Sequence, residues 1–290
     1  MTDVAGSLLE RTRPSLVRGA DIVGRATSQA RALPGLLICG GQRCGTTSMY
    51  QALIQHPTIF RPVWRKGVHY FDMEGEKDLD WYRAHFPLQW QLDRAERRHQ
   101  TRALCFESSP YYLFHPRAAD RIAEELPDVQ VLILVRDPVE RAYSAHAHEK
   151  ARGYEDLDFA EALDREDDRL RGEEVRLSRD ATYRSHAHRH QAYCGRGEYA
   201  PQIERFAALL GRDRVKVVDS HRFFATPEPV FAEVLDWLGV APRGRQRFEQ
   251  HNARPRPALD PGLRDRLDER FLPHDVALTP WLGHVPTWRQ

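Results

Sequence analysis

Apolar residues in this chain fall into a few short continuous runs set among stretches of longer, helical period. Leu36-Leu37-Ile38-Cys39 is the first run, and Ala103-Leu104-Cys105-Phe106 the second. Val129 to Val135 is the third and cleanest, and Val215-Lys216-Val217-Val218 the fourth. Runs this short, bounded by turn residues, suit strands covered on both faces, as in a parallel sheet. Between them the period lengthens. Thr46 to Ile54 reads as a helix stopped near His56-Pro57, 117–126 as a helix stopped by Pro127, and Val139 to about Lys150 as a third. The charged segment 155–180 carries Phe159, Leu163 and Leu170 at roughly helical spacing and reads as a surface helix. Helices are also expected over 198–210, near 228–238, and, after a Pro/Arg-rich loop from Asn252 to Pro261, through Phe271. Strands alternating with helices predict an α/β fold with a mainly parallel central sheet flanked by helices. Residues 1–32 lack a clear apolar period and read as an N-terminal extension, leaving 33–290 as one domain.

Composition narrows the partners. The chain has 290 residues, enough for a sizeable core, and a formal net charge of +1. No global field therefore favours nucleic acid or an anionic membrane, and anion binding must come from local clusters. Of 43 basic residues four are lysine (Lys66, Lys77, Lys150, Lys216), so arginine abundance alone singles out no site. Cys39, Cys44, Cys105 and Cys194 form no CxxC pair or disulfide framework. With no secretory pattern at the start and no membrane-length apolar run, a cytoplasmic protein is expected.

Chemistry appears first where the first strand ends. Gly40-Gly41-Gln42-Arg43-Cys44-Gly45-Thr46-Thr47-Ser48 lies between a strand and a helix, where a phosphate-binding loop belongs. The glycine frame of G-x-x-x-x-G-K-[ST] holds from Gly40 to Gly45, but Thr46 stands at the lysine position. A nucleoside triphosphatase needs that lysine and magnesium ligands, so its absence counts against a kinase or ATPase. A cation is present instead inside the loop, at Arg43. On the loop alone, a capped glycine turn with Arg43 in solvent accounts for the same residues.

The second motif decides between them. It is Val135-Arg136-Asp137-Pro138-Val139-Glu140-Arg141-Ala142-Tyr143-Ser144, following the third strand. Arg136 at a strand's carboxyl end faces the crevice where open α/β sheets bind ligands, and its fork of donors suits a phosphate dianion. Ser144 lies two turns into the next helix, and Arg141 reads as a surface residue. Loop and motif together resemble the PAPS-dependent sulfotransferases (PAPS is 3′-phosphoadenosine 5′-phosphosulfate). The likeness is to the carbohydrate branch that contains heparan sulfate sulfotransferases and bacterial relatives. It extends over about residues 34–288 through His56-Pro57, Lys66-Gly67-Val68-His69-Tyr70-Phe71-Asp72, Glu107-Ser108-Ser109-Pro110-Tyr111-Tyr112, Gly195-Arg196-Gly197-Glu198-Tyr199 and Asn252 to Pro257.

The resemblance implies a P-loop-type domain and sulfonyl transfer from PAPS, leaving PAP, to a hydroxyl or amine of a small metabolite or glycan. It implies donor contacts from Gly41, Gln42, Arg43, Cys44, Gly45, Thr46, Thr47 and Ser48 to the 5′-phosphosulfate. Arg136 and Ser144 would grip the 3′-phosphate, and Arg254 and Arg256 would come from a late basic loop. No metal is expected, because a sulfonyl group carries less charge than a phosphoryl group. Where the branch has a glutamate base this chain has Gly67, so the expected base is His69, with Glu107 in reserve. Arg43 and Lys66 would meet charge on the leaving oxygen. The rival readings are a P-loop nucleotide-binding protein without transferase activity and an ATP-dependent kinase.

Two further clusters remain. His186, His188 and His190 alternate, and on a helix only His186 and His190 share a face, so an exposed or acceptor-contacting segment is expected rather than a metal site. Trp64, Tyr70, Phe71, Trp81, Tyr111 and Tyr112 are candidates to line an acceptor pocket.

Overall fold

The computed structural model describes residues 24–73, 77–249 and 257–290. Five strands form one all-parallel sheet: β1 (Leu36–Ile38), β2 (Ile59–Phe60), β3 (Leu104–Ser108), β4 (Gln130–Val135) and β5 (Val215–Asp219). Their spatial order is β2-β3-β1-β4-β5. From β1 the chain runs to the edge at β2, returns to β3 beside β1, then crosses to β4 and β5 on the other side. The crevice beyond the carboxyl ends of β1 and β4 lies where that direction reverses, the usual ligand position in an open α/β sheet. The parallel sheet is the one the strand–helix alternation predicts. β2, two residues long, has no run of its own to announce it.

The helices among the described residues are α1 (Thr46–Leu53), α2 (Leu79–Arg83), α3 (Gln89–His99), α4 (Ala118–Glu125), α5 (Pro138–Ala151) and α6 (Phe159–Leu170). They continue as α7 (Glu173–Arg179), α8 (His186–His190), α9 (Tyr199–Leu210), α10 (Ser220–Ala225), α11 (Pro227–Trp237) and α12 (Pro261–Leu282). The charged segment after 155 is two helices, broken at Gly172, whose φ of +77° suits only glycine comfortably. α12 runs past the expected stop at Phe271 despite Pro273 and Pro280. Leu267, Phe271, Asp275 and Leu278 recur at helical spacing on its buried face, and that packing offsets the prolines' missing donors.

Two apolar clusters hold the layers together. The larger surrounds the sheet, where Val131 to Val135 are fully buried, each contributing roughly 1.5–3 kcal/mol. The smaller joins α5, α6 and α12 through Val139, Ala142, Phe159, Leu163 and Phe271. Residues 24–32 pack back on the domain: Arg25 pairs with Asp78 at 2.8 Å, Arg31 bridges to Leu88, and Ala32 is buried.

Candidate active site

The loop after β1 is shaped by close backbone approach. A Cβ on Gly40 would lie 2.4 Å from the Leu134 amide nitrogen, so only glycine lets the loop leave between β1 and β4. Arg43 and Gly45 both take left-handed φ, 71° and 80°, and Gly45 caps α1 with no side chain of its own. No side chain therefore caps the first turn of α1, and its amides begin at Thr46, Thr47 and Ser48. Ser220 at the end of β5 donates to the Cys44 carbonyl at 2.5 Å, and Tyr199 sits 3.5 Å from the Cys44 sulfur. Burial pushes the Cys44 thiol above its ordinary range, so it acts as packing.

Cations converge on this loop from three elements. Lys66 Nζ donates to Thr47 Oγ1 at 3.0 Å and Thr46 Oγ1 at 3.4 Å, and burial pulls its pKa down to about 8. Arg43 Nε donates to Ser144 Oγ at 3.0 Å, and Arg136 Nη1 donates to the Arg43 carbonyl at 3.3 Å. The loop and the second motif, a hundred residues apart, thus meet side chain to side chain. Tyr199 OH donates to the Arg136 carbonyl at 3.1 Å and steadies the turn. Asp137 caps α5 through the Val139 and Glu140 amides and pairs with Arg264 at 2.7 Å. A cap of this kind contributes about 1 kcal/mol. It leaves Arg136 to the crevice, with a 3.7 Å contact to Glu140.

Arg141 is the clearest departure from the sequence reading. It is fully buried, not a surface residue, because Tyr193 and Tyr199, from beyond α8, close around it beside the loop's Cys44. Its Nη2 donates to the Tyr193 carbonyl, while Nε and Nη1 have no hydrogen-bond partner among the described residues. Its charge lies close enough to Cys44 and Tyr199 to act on both.

The second wall is the segment from Lys66 to Asp72. His69 Nδ1 lies 2.8 Å from Asp72 Oδ2, and Asp72 is fully buried at its side chain. With the Nδ1 proton assigned to Asp72, Nε2 is the free acceptor of a ring whose side chain is 36% exposed. Glu107 is wholly buried and accepts from the Val68 amide, Ser109 Oγ, Tyr82 OH and Tyr112 OH at 2.6–2.9 Å. Burial raises its pKa against the pull of those four donors. With every lone-pair direction engaged, Glu107 braces this wall from behind. A Cβ on Gly67 would lie 2.4 Å from the Ser108 carbonyl oxygen, so the position has no room for any side chain.

Between the walls lies a half-open cleft of about 240 Å³, bordered by Gln42, His69, Tyr111, Glu149, Arg152, Arg189, His190 and Arg196. Gln42 reaches it from the loop: its amide donates to Glu149 at 2.6 Å and its carbonyl accepts from Arg196 at 3.0 Å. His190 Nδ1 lies 3.0 Å from the other Glu149 oxygen, and these contacts draw the Glu149 pKa down against its burial. The alternating histidines divide: His190 borders the cleft and His186 lies 3.1 Å from the Tyr154 carbonyl. His188 is buried against Tyr111 and Phe114, its pKa pulled down to about 2 by burial. Of the aromatic candidates only Tyr111 borders the cleft. Tyr70, Phe71, Trp81 and Tyr112 pack among themselves and Tyr82, and Trp64 is exposed at the surface. A cleft of about 300 Å³ on the outer edge of β5 lies away from all these groups. Arg254 and Arg256 fall outside the described residues. Among the described residues no helix is long and apolar enough to cross a membrane.

The sequence reading passed over the Gln42–Glu149–His190–Arg196 network. Its members are far apart in the chain, and the one signal was Gln42 inside an otherwise glycine-and-cation loop.

The profile of the sulfotransferase family matches residues 34–243. The human bifunctional heparan sulfate N-deacetylase/N-sulfotransferase 3 is 25% identical over 296 residues, 88% of this chain and 31% of that protein. The membrane-associated sulfotransferase kil1 of Dictyostelium discoideum is 30% identical over 114 residues, 39% of this chain and 22% of that protein. The chain thus spans under a third of the length of these curated relatives. Among solved structures, a sulfotransferase from Alicyclobacillus acidocaldarius is 28% identical with a TM-score of 0.66, covering 89% of this chain and 100% of its own.

Proposed function

The chain belongs to the sulfotransferase family, and from that premise we propose that it transfers the sulfonyl group of PAPS to a hydroxyl or amine of a small metabolite or glycan. The observation that carries the reading is the joining of Arg43, Ser144 and Arg136 at the mouth of a loop that has no P-loop lysine. An anion grip built from arginine forks and helix amides fits a donor with two phosphate groups.

In this scheme the amides from Gly41 to Ser48 and Arg43 take the 5′-phosphosulfate, and Arg136 and Ser144 take the 3′-phosphate. His69 Nε2 removes the acceptor's proton, and Asp72 stabilises the imidazolium that forms. The acceptor atom bonds to sulfur as the bond from sulfur to the 5′-phosphate oxygen breaks in line. Charge growing on that oxygen is met by Lys66, Arg43 and the amides of α1. PAP leaves with the electron pair of the broken bond, and the proton passes from His69 to solvent. Glu107 positions the His69 segment through Val68 and Ser109.

Calorimetric titration with PAP, without added metal, tests the donor site. Wild type should bind and Arg136→Ala should bind at least tenfold more weakly, the loss of about one charge-assisted pair. His69→Ala should then lower kcat about 10²-fold or more with PAP affinity intact. A well-folded wild type that ignores PAP and PAPS but binds ATP with magnesium would refute the scheme.

A further inference from the structure

We propose that the acceptor is a compact, single-ring molecule carrying an anionic substituent, held by Arg152 and Arg189 beside His69. The inference rests on the sulfonyl-transfer reading and names the substrate class of that same site.

Charge accounting leads to it. The donor's anions are served by Arg43, Lys66 and Arg136, none of which borders the cleft. The cleft brings its own cations, Arg152, Arg189 and Arg196, against one lining carboxylate, Glu149. That carboxylate is fully buried and turned inward, its oxygens taken by Gln42, His190 and Arg152. Arg196 is buried too, and its two terminal nitrogens are spent on Gln42 and on the carbonyls of residues 188 and 189.

Arg152 and Arg189 are different. They are 45% and 34% exposed at their side chains. Arg152 lies over the Tyr154 ring at 4.6 Å and Arg189 over the Tyr111 ring at 5.3 Å. An aromatic face under a guanidinium limits its motion and leaves the edge donors available. Arg152 has a 3.4 Å contact to Glu149, and Arg189 a 3.9 Å contact to Asp72, which leaves most of their donors for a ligand. Two held guanidiniums facing one small space, each touched by one carboxylate oxygen at 3.4 and 3.9 Å and with further donors to spare, are arranged for an anion.

The enclosed part of this half-open cleft is also small. A cleft of about 240 Å³ is below the range of roughly 300–1,000 Å³ that encloses drug-sized ligands. One ring with a carboxylate and a hydroxyl fills it. With the anion at Arg152 and Arg189, the ring lies over the floor at Gln42, with the hydroxyl at His69.

The test is binding to the enzyme loaded with PAP, at near-neutral pH, by calorimetry with two charge-matched pairs. These are para-hydroxybenzoate against its methyl ester, and galacturonate against galactose. In at least one pair the acid should bind about tenfold more tightly than its neutral partner, as expected for one charge-assisted contact. That ratio should fall toward one in both Arg189→Ala and Arg152→Ala, and Arg189→Lys should recover part of it. The ratio is read within each variant, so a general loss of folding does not imitate the result. Equal binding within both pairs, tighter binding of the neutral members, no binding of either acid while PAP binds, or a ratio that survives both substitutions would overturn the proposal. Failure of PAP itself to bind would instead sink the donor reading beneath it.

Discussion

Gly67→Ala tests whether position 67 has room for any side chain, and so for the glutamate base that the resemblance would put there. The added Cβ would meet the Ser108 carbonyl oxygen at 2.4 Å and Ser109 Oγ at 2.8 Å. Ordinary contact is about 3.5 Å, so the segments must part by about 1 Å. They are stitched by the Ser108 amide to the Lys66 carbonyl, the Val68 amide to Glu107, and the His69 amide to Ser109 Oγ, at 2.6–3.2 Å. Weakening these by about half, from about 1 kcal/mol for each neutral bond and about 2 for the charged one, together with about 1 kcal/mol of local overpacking, gives a loss of about 3 kcal/mol. For a chain of 290 residues that is a fall in Tm of about 5 °C. The competing effect has the opposite sign. Gly67 is not among the glycines with positive φ, so if space allowed, alanine would stabilise by about 0.4–1 kcal/mol through the unfolded chain. Thermal unfolding followed by circular dichroism, with transfer assayed below the transition, separates the two. A Tm equal to or above wild type, with activity retained, would refute the steric argument. Gly67→Glu should fare no better than alanine, because it meets the same oxygen first.

Lys66 gives a pH signature. Its folded pKa, lowered by burial to about 8 from 10.5, makes the unfolded chain the tighter proton binder between those values. Stability should therefore rise with pH from about 8 to 10.5 relative to Lys66→Met, in urea denaturation at several pH values. A flat difference between the two proteins would contradict the buried, charged lysine. Above pH 8, PAP binding should take up protons, read as buffer-dependent heat, and Lys66→Met should abolish the uptake. Arg141→Met keeps the stem's volume and removes two unpartnered buried donors, so urea stability should stay within about 1 kcal/mol of wild type or rise. A loss above about 3 kcal/mol would show that the charge is held by a partner the geometry does not reveal.

Legibility in the sequence followed locality. The glycine loop and the arginine after β4 were readable because each is a contiguous motif at a strand end, where parallel sheets put their sites. Burial of Arg141 was not, since an arginine in a charged helix reads as solvent-facing. The residues that close around it, Tyr193 and Tyr199, lie more than fifty positions further along the chain. The role of Glu107 was hidden for a similar reason: Tyr82 and the Val68 amide reach it from separate segments. The cleft's charge was least legible of all, as Gln42, Arg152 and Arg189 belong to three elements that meet only in the folded chain. Prolines misled in the other direction, ending α12 on paper at a point where tertiary packing carries it on.

The bond from Arg43 to Ser144 has a kinetic meaning. The two side chains proposed to grip the donor hold each other at 3.0 Å. On that proposal, arrival of a phosphate is an exchange of partners, and the affinity measured is a difference between two sets of bonds. Removing Ser144 deletes a ligand and a competitor together. Ser144→Ala should therefore change PAP affinity less than Arg136→Ala, while speeding both association and release.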